Sequence, residues 1–207
     1  MEIIPNFVVF EGGDGSGTTT QLSMLGERLK NVPKPVFFPT FEPTDGPIGR
    51  LIRAALKKEN PLKPETLATL FAADRNEHLY GADGVLERAA LGLVVCDRYV
   101  LSSLVYQGIE CGDELPKSLN SRFPAPELTI YLEIKPEIAL GRIKSRTSCE
   151  IYEYLDFQEK VHEKYKSLLG IYRSVGARVE IIDASKSVQE VSEQVWSVIS
   201  QMPIFKV

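Results

Sequence analysis

Phe7-Val8-Val9-Phe10-Glu11-Gly12-Gly13-Asp14-Gly15-Ser16-Gly17-Thr18-Thr19-Thr20-Gln21 is the stretch from which the fold is read. Its apolar opening reads as a buried strand. The glycine-rich turn leads into residues 22–30, whose apolar positions have helical spacing. Strand, glycine loop and helix in that order form a P-loop, in which inward-pointing backbone N–H groups and a helix N-terminus hold phosphate. Gly12, Gly17 and Thr19 fit the pattern G-x-x-x-x-G-K-[ST], but Thr18 occupies the lysine position. A plain turn without a ligand is the competing reading of this segment alone.

The 207 residues are expected to form one domain, and the composition is that of an ordinary globular protein. A net charge of −4 argues against a non-specific nucleic-acid or membrane binder. Cys96, Cys111 and Cys149 lack metal-ligand spacing and point to a reducing compartment. With no basic n-region and no span-length apolar run, the expected location is cytoplasmic.

Beyond the P-loop, residues 36–38 read as a second strand, followed by a turn-rich loop over 39–47 that contains Glu42. Residues 48–56 carry a helical stripe. Residues 64–86 read as one helix or a broken pair, with Phe71 and Arg75 on one face. Alone, those two read first as a core phenylalanine and a surface arginine partnering Asp74 or a nearby acid. Residues 91–96 form a third strand ending in Asp97-Arg98-Tyr99, where an acid can hold Mg²⁺ and an arginine can fork onto phosphate. A strand-capping salt bridge is the alternative. A helix over 100–107, a loop over 108–116, a strand over 128–133 and a helix over 137–144 follow. Arg142, Lys144 and Arg146 then form a basic cluster, either a solvated helix end or part of a lid over phosphates. A helix over 155–169, a strand over 178–183 and a helix over 188–199 complete the alternation. The expected fold is α/β: a five-stranded parallel sheet flanked by helices on both faces, of P-loop NTPase type, with a short lid over residues 142–153. Ligand segments should gather at the C-terminal edge of that sheet.

The ordered set of residues 10–17, Glu42-Pro43, Leu70-Phe71-Ala72-Ala73-Asp74-Arg75, Asp97-Arg98-Tyr99, Ser102-Ser103 and Tyr106-Gln107 resembles the thymidylate (dTMP) kinases, over nearly the whole chain. The resemblance implies transfer of the ATP γ-phosphoryl group to dTMP, giving dTDP for dTTP synthesis, with Mg²⁺ as cofactor and a homodimeric state. It implies that Gly12, Gly13, Asp14, Gly15, Ser16, Gly17, Thr18, Thr19, Thr20 and Arg142 bind ATP. Thr19 and Asp97 would orient the metal. For the acceptor, Glu42, Arg53, Phe71, Arg75, Arg98, Ser103, Tyr106 and Gln107 are implied, with Phe71 stacking on thymine and Arg75 donating to a thymine carbonyl. Asp14, Asp97, Arg98 and Arg146 make up the implied catalytic set.

Three departures from that family stand out: Thr18 at the lysine position, Phe41 where many bacterial relatives have arginine, and a lid text (Ser148-Cys149-Glu150-Ile151-Tyr152-Glu153) without arginine. Each lost cation costs roughly 10³ in rate unless replaced. A degenerate nucleotide-binding protein with weak or no phosphotransfer, or a kinase for another pyrimidine nucleotide, is therefore kept as the alternative.

Overall fold

The computed structural model describes residues 1–143 and 155–206. Its strands are β1 (Ile3–Gly12), β2 (Val36–Phe41), β3 (Leu93–Asp97), β4 (Ala125–Glu133) and β5 (Arg178–Asp183). They form one parallel sheet in the order β2-β3-β1-β4-β5. The helices are α1 (Thr18–Leu29), α2 (Pro47–Leu56), α3 (Pro64–Tyr80), α4 (Val85–Leu91), α5 (Val100–Cys111) and α6 (Glu114–Asn120). The rest are α7 (Pro136–Ile143), α8 (Leu155–Leu168), α9 (Gly170–Ser174) and α10 (Val188–Ile199).

Strand β1 is central because it is apolar on both faces. Phe7 and Val9 point into a core with Val94, Tyr99, Tyr131 and Tyr165, while Val8 and Phe10 point into another with Leu25, Val95, Ile130 and Val195. The first core packs beneath α3, α4, α5, α8 and α9, and the second beneath α1 and α10. A strand buried on both sides cannot show polar alternation, which is why residues 7–10 read as an unbroken apolar run.

The sheet and its helical cover match the expected class, but several boundaries move. Strand β2 continues through Pro39 to Phe41, and Glu42 N still donates to Asp97 O at 3.0 Å. Thus Glu42 is delivered by the end of a strand and not by a loose loop. A proline is tolerated because β2 lies at the sheet edge, and the β2–β3 register shifts between Phe37 and Thr40 around it. Residues 64–86 are a broken pair, interrupted between Tyr80 and Val85. Leu91 ends α4 and is 68% exposed, so the third strand starts later than its apolar text suggests. Residues 108–116 are largely helical: α5 runs to Cys111, and Pro116 sits in the first turn of α6, where no intrahelical N–H is required. Lys144, Arg146 and the lid text 148–153 lie outside the described residues.

Helix α2 passes so close to the segment after Glu42 that a Cβ on Gly49 would fall 1.8 Å from Thr44 O. Gly141 in α7 has nothing within 4 Å of such a Cβ among the described residues. Gly49→Ala should therefore cost about 1–3 kcal/mol and lower Tm by roughly 3–10 °C. Gly141→Ala should stabilise by about 0.5–1 kcal/mol. Thermal unfolding of the two variants beside wild type checks both signs.

Candidate active site

The loop between Gly12 and Thr18 carries two residues with positive φ, Gly15 at 79° and Gly17 at 96°. Gly17 is the left-handed N-cap of α1, a conformation that costs a residue with Cβ dearly. No side chain caps α1, so its first-turn N–H groups are left for an anion. Two buried side-chain oxygens here, Ser16 Oγ and Asp97 Oδ1, have no hydrogen-bond partner among the described residues. Buried orphans beside a ready anion site mark a place that expects a ligand.

Asp14 and Arg98 are the centre of the polar network. Arg98 Nη2 donates to Asp14 Oδ1 at 2.6 Å, and Nη1 donates to Gly12 O at 3.2 Å and Ser102 Oγ at 3.4 Å. Its guanidinium lies 5.2 Å from the Tyr106 ring, and the Tyr106 hydroxyl donates to the same Asp14 oxygen at 3.2 Å. Gln158, from α8, donates to Asp14 Oδ2 at 3.1 Å and accepts from Asp14 N at 3.3 Å. The Arg98 backbone has φ 68°, a strain of roughly 1–3 kcal/mol held in place by these contacts and by Arg98 N donating to Phe10 O at 2.9 Å.

A second arginine closes the other end. Arg75 is 1% exposed. Its Nε donates to Glu42 Oε2 at 2.8 Å, Nη2 lies 2.7 Å from the same oxygen and donates to Ser103 Oγ at 3.0 Å, and Nη1 donates to Asn120 Oδ1. The Tyr99 and Phe123 rings lie 5.1 and 5.6 Å from it. This is no surface arginine. Between the two arginines lies one pocket, lined by Asp14, Glu42, Phe71, Arg75, Asp97, Arg98, Ser103, Tyr106 and Gln107 together with Phe41, Pro43, Leu56, Tyr99 and Ser102. Arg53 does not line it. Its guanidinium donates to Thr44 O at 2.5 Å and to Pro43 O, and sits 5.3 Å from the Phe41 ring. In this arrangement it braces the segment after Glu42.

A separate pocket on the far side of the P-loop is lined by Gly15, Ser16, Gly17, Thr20, Gln21, Arg142, Ala184 and Lys186, among others. Arg142 Nη2 donates to Ala184 O at 2.9 Å across it. Thr19 and Asp97 share a third groove between α1 and β2. Burial is the largest influence on Asp97 and raises its pKa from the ordinary value, while Arg98 and the Thr18 side chain pull it back in part. Arg146 lies outside the described residues.

Four polar residues that sequence reading gave no role complete the site: Glu11, His78, Asn120 and Gln158. Glu11, fully buried, was the most visible of them, being an acid in an apolar strand. Its Oε1 accepts from Tyr99 N at 3.0 Å and Ser102 N at 3.2 Å, and its Oε2 from Ser102 Oγ at 2.6 Å and Tyr165 OH at 2.8 Å. It thereby pins the start of α5 and the chain next to Arg98.

A parallel sheet with an uncapped helix behind a glycine nest, and an acid–arginine pair on the adjacent strand, defines a P-loop phosphotransferase. The Thymidylate kinase family model matches residues 10–195, and the chain belongs to that family. Relatives whose names include "thymidylate kinase" resemble it along most of its length. One from Treponema pallidum (strain Nichols) is 44% identical over 199 residues, covering 94% of this chain and 95% of its own. One from Pyrobaculum aerophilum is 41% identical over 202 residues, covering 97% and 99%. One from Methanocaldococcus jannaschii is 37% identical over 199 residues, covering 95% and 97%.

Burial pushes the Glu11 pKa up to about 7, against the downward pull of Ser102, Arg98 and Tyr165. A carboxyl whose folded pKa lies above its unfolded value favours the fold while protonated in both states. That contribution is lost as pH rises from about 4.5 through about 7, by about 3 kcal/mol in all. Urea unfolding of wild type and Glu11→Gln at pH 5, 6, 7 and 8 should show the variant gaining on wild type by most of that amount. Parallel curves would assign the pH dependence elsewhere.

Proposed function

We propose that this protein transfers the γ-phosphoryl group of ATP to dTMP. The observation that carries the reading is the single pocket in which Glu42, Phe71, Arg75, Arg98, Ser103, Tyr106 and Gln107 meet the P-loop carboxylate Asp14. Phe71 offers a ring face to thymine. The Nη1 hydrogen of Arg75 not given to Asn120 is available to a base carbonyl, since its other donors are engaged by Glu42 and Ser103. Ser103 and Gln107 serve the base edge, and Tyr106 crowds the position of a 2′-hydroxyl. Asp14 and Arg98 face the sugar and phosphate end, with Arg53 as a further acceptor-phosphate ligand in the same proposal. On the donor side, the P-loop and the Arg142–Ala184 pocket take ATP.

Mg²⁺ fits the residues present. Asp97 Oδ1 is buried without a hydrogen-bond partner among the described residues, and Thr19 lines the same groove. Among the described residues no group of three or more His, Cys, Asp or Glu could hold a metal, which suits an ion bound mainly by phosphate oxygens and water. Bound there, Mg²⁺ would offset charge on the β- and γ-phosphates. The chain's own part is to align donor and acceptor and to bring cationic groups to the equatorial oxygens. Arg98, which reaches Gly12 O at the mouth of the loop, stands in for the missing lysine, with Arg146 proposed as the lid cation. The unit is taken to be one kinase domain over 1–207, acting as a cytoplasmic homodimer; no described helix is long and apolar enough to cross a membrane.

One observation favours a second reading, a nucleotide-binding protein with little turnover: Thr18 stands at the lysine position and brings no charge. An ADP-release assay with MgATP and dTMP, dUMP, dCMP or dGMP separates the two. Wild-type turnover on dTMP well above the others is expected, and Arg98→Ala should lower kcat by roughly 10³. If wild type binds dTMP without turnover and Thr18→Lys restores activity, the second reading holds.

A further inference from the structure

We propose that His78 is a positioning residue for the base end of the acceptor pocket, acting through Glu42 by donating from Nδ1. The inference deepens the dTMP reading and rests on it for its kinetic part. His78 Nδ1 lies 3.0 Å from Glu42 Oε1, and His78 Nε2 lies 2.6 Å from Thr40 Oγ1. The other Glu42 oxygen is held by Arg75. A carboxylate paired with a guanidinium only accepts, so the Nδ1 bond must be donated by the imidazole. With one proton on the ring, Nε2 can accept from the Thr40 hydroxyl. The partner at Nδ1 thus fixes where a proton must sit.

Asp74, Arg75 and His78 stand on one side of α3. Asp74 receives Thr44 N and Thr44 Oγ1, both at 2.7 Å, while Arg75 and His78 hold Glu42. Helix α3 therefore grips both ends of the segment that follows β2. Glu42 is 5% exposed, so without His78 its Oε1 would be a buried carboxylate oxygen short of a donor. The carboxylate would turn to find one and carry the Arg75 fork with it. Base recognition depends on where that fork points.

The chain has two histidines, so ¹⁵N-resolved spectra with His78→Asn as the assignment control read the tautomer directly. Protonation at Nδ1 is expected. Protonation at Nε2 alone overturns the proposal whatever the enzyme does. In the assay, His78→Phe should raise KM for dTMP about tenfold and narrow the dTMP-over-dCMP preference, leaving kcat and KM for ATP within about threefold. His78→Asn, whose amide can donate where Nδ1 does, should recover most of the loss. Unchanged KM in His78→Phe, an equal rise for both substrates, or no recovery in His78→Asn each count against it. Should His78→Phe fail to fold, Thr40→Val takes its place: it should raise KM for dTMP about threefold, and no change there overturns the proposal. A wild type that does not turn over dTMP would sink the kinase reading, while the tautomer still decides the His78–Glu42 bond.

Discussion

The pairing of β1 with β3 is the constraint on which the site depends. Phe10 sits opposite Asp97, and Arg98 N donates back to Phe10 O at 2.9 Å. This register puts the start of the P-loop beside the acid–arginine pair, although 86 positions separate Gly12 from Arg98. It holds because both strands are buried on both faces, so a slip by one residue would exchange the two cores wholesale. Arg98 can then occupy a left-handed backbone conformation, since the ladder below and the carboxylate beside it leave the chain no easier course.

Charge is arranged in two separate pairs across the pocket between Arg75 and Arg98. Asp14 with Arg98 is partly exposed at the P-loop end, with side chains 21% and 24% accessible, whereas Glu42 with Arg75 is almost wholly dry. The first pair can exchange partners with a phosphate at modest cost. The second, desolvated and locked by Asn120, Ser103 and two aromatic rings, serves as fixed scaffolding. The division suits one end of a nucleotide that reacts and another that is only recognised.

Much of this was legible in the text of the chain. The glycine loop announced itself beside an apolar run, and the 71/75 spacing gave a shared helix face. The acceptor residues implied by resemblance line a common pocket, Arg53 excepted. What the text hid has two physical sources. Pro39 disguised the second half of an edge strand, and with it the way Glu42 is held. The partners of Glu11, Gln158 and Asn120 lie far along the chain, Tyr165 being 154 positions from Glu11, and no local pattern encodes such a distance. Spacing showed that Arg75 shares a face with Phe71; only the packed structure shows that Glu42, Ser103 and Asn120 leave it a single useful hydrogen.

The proline in β2 has a bearing on how copies of the chain can meet. As an edge residue Pro39 has no N–H to offer a neighbouring strand. At the opposite edge, β5 carries an ion pair between Arg178 and Glu180, directly before its exposed Ile181. Both margins of the sheet thus carry features that discourage continuation into a second sheet. Self-association of this fold is left to its helical faces, and open-ended stacking of strands, the usual hazard of an exposed sheet, is disfavoured from either side.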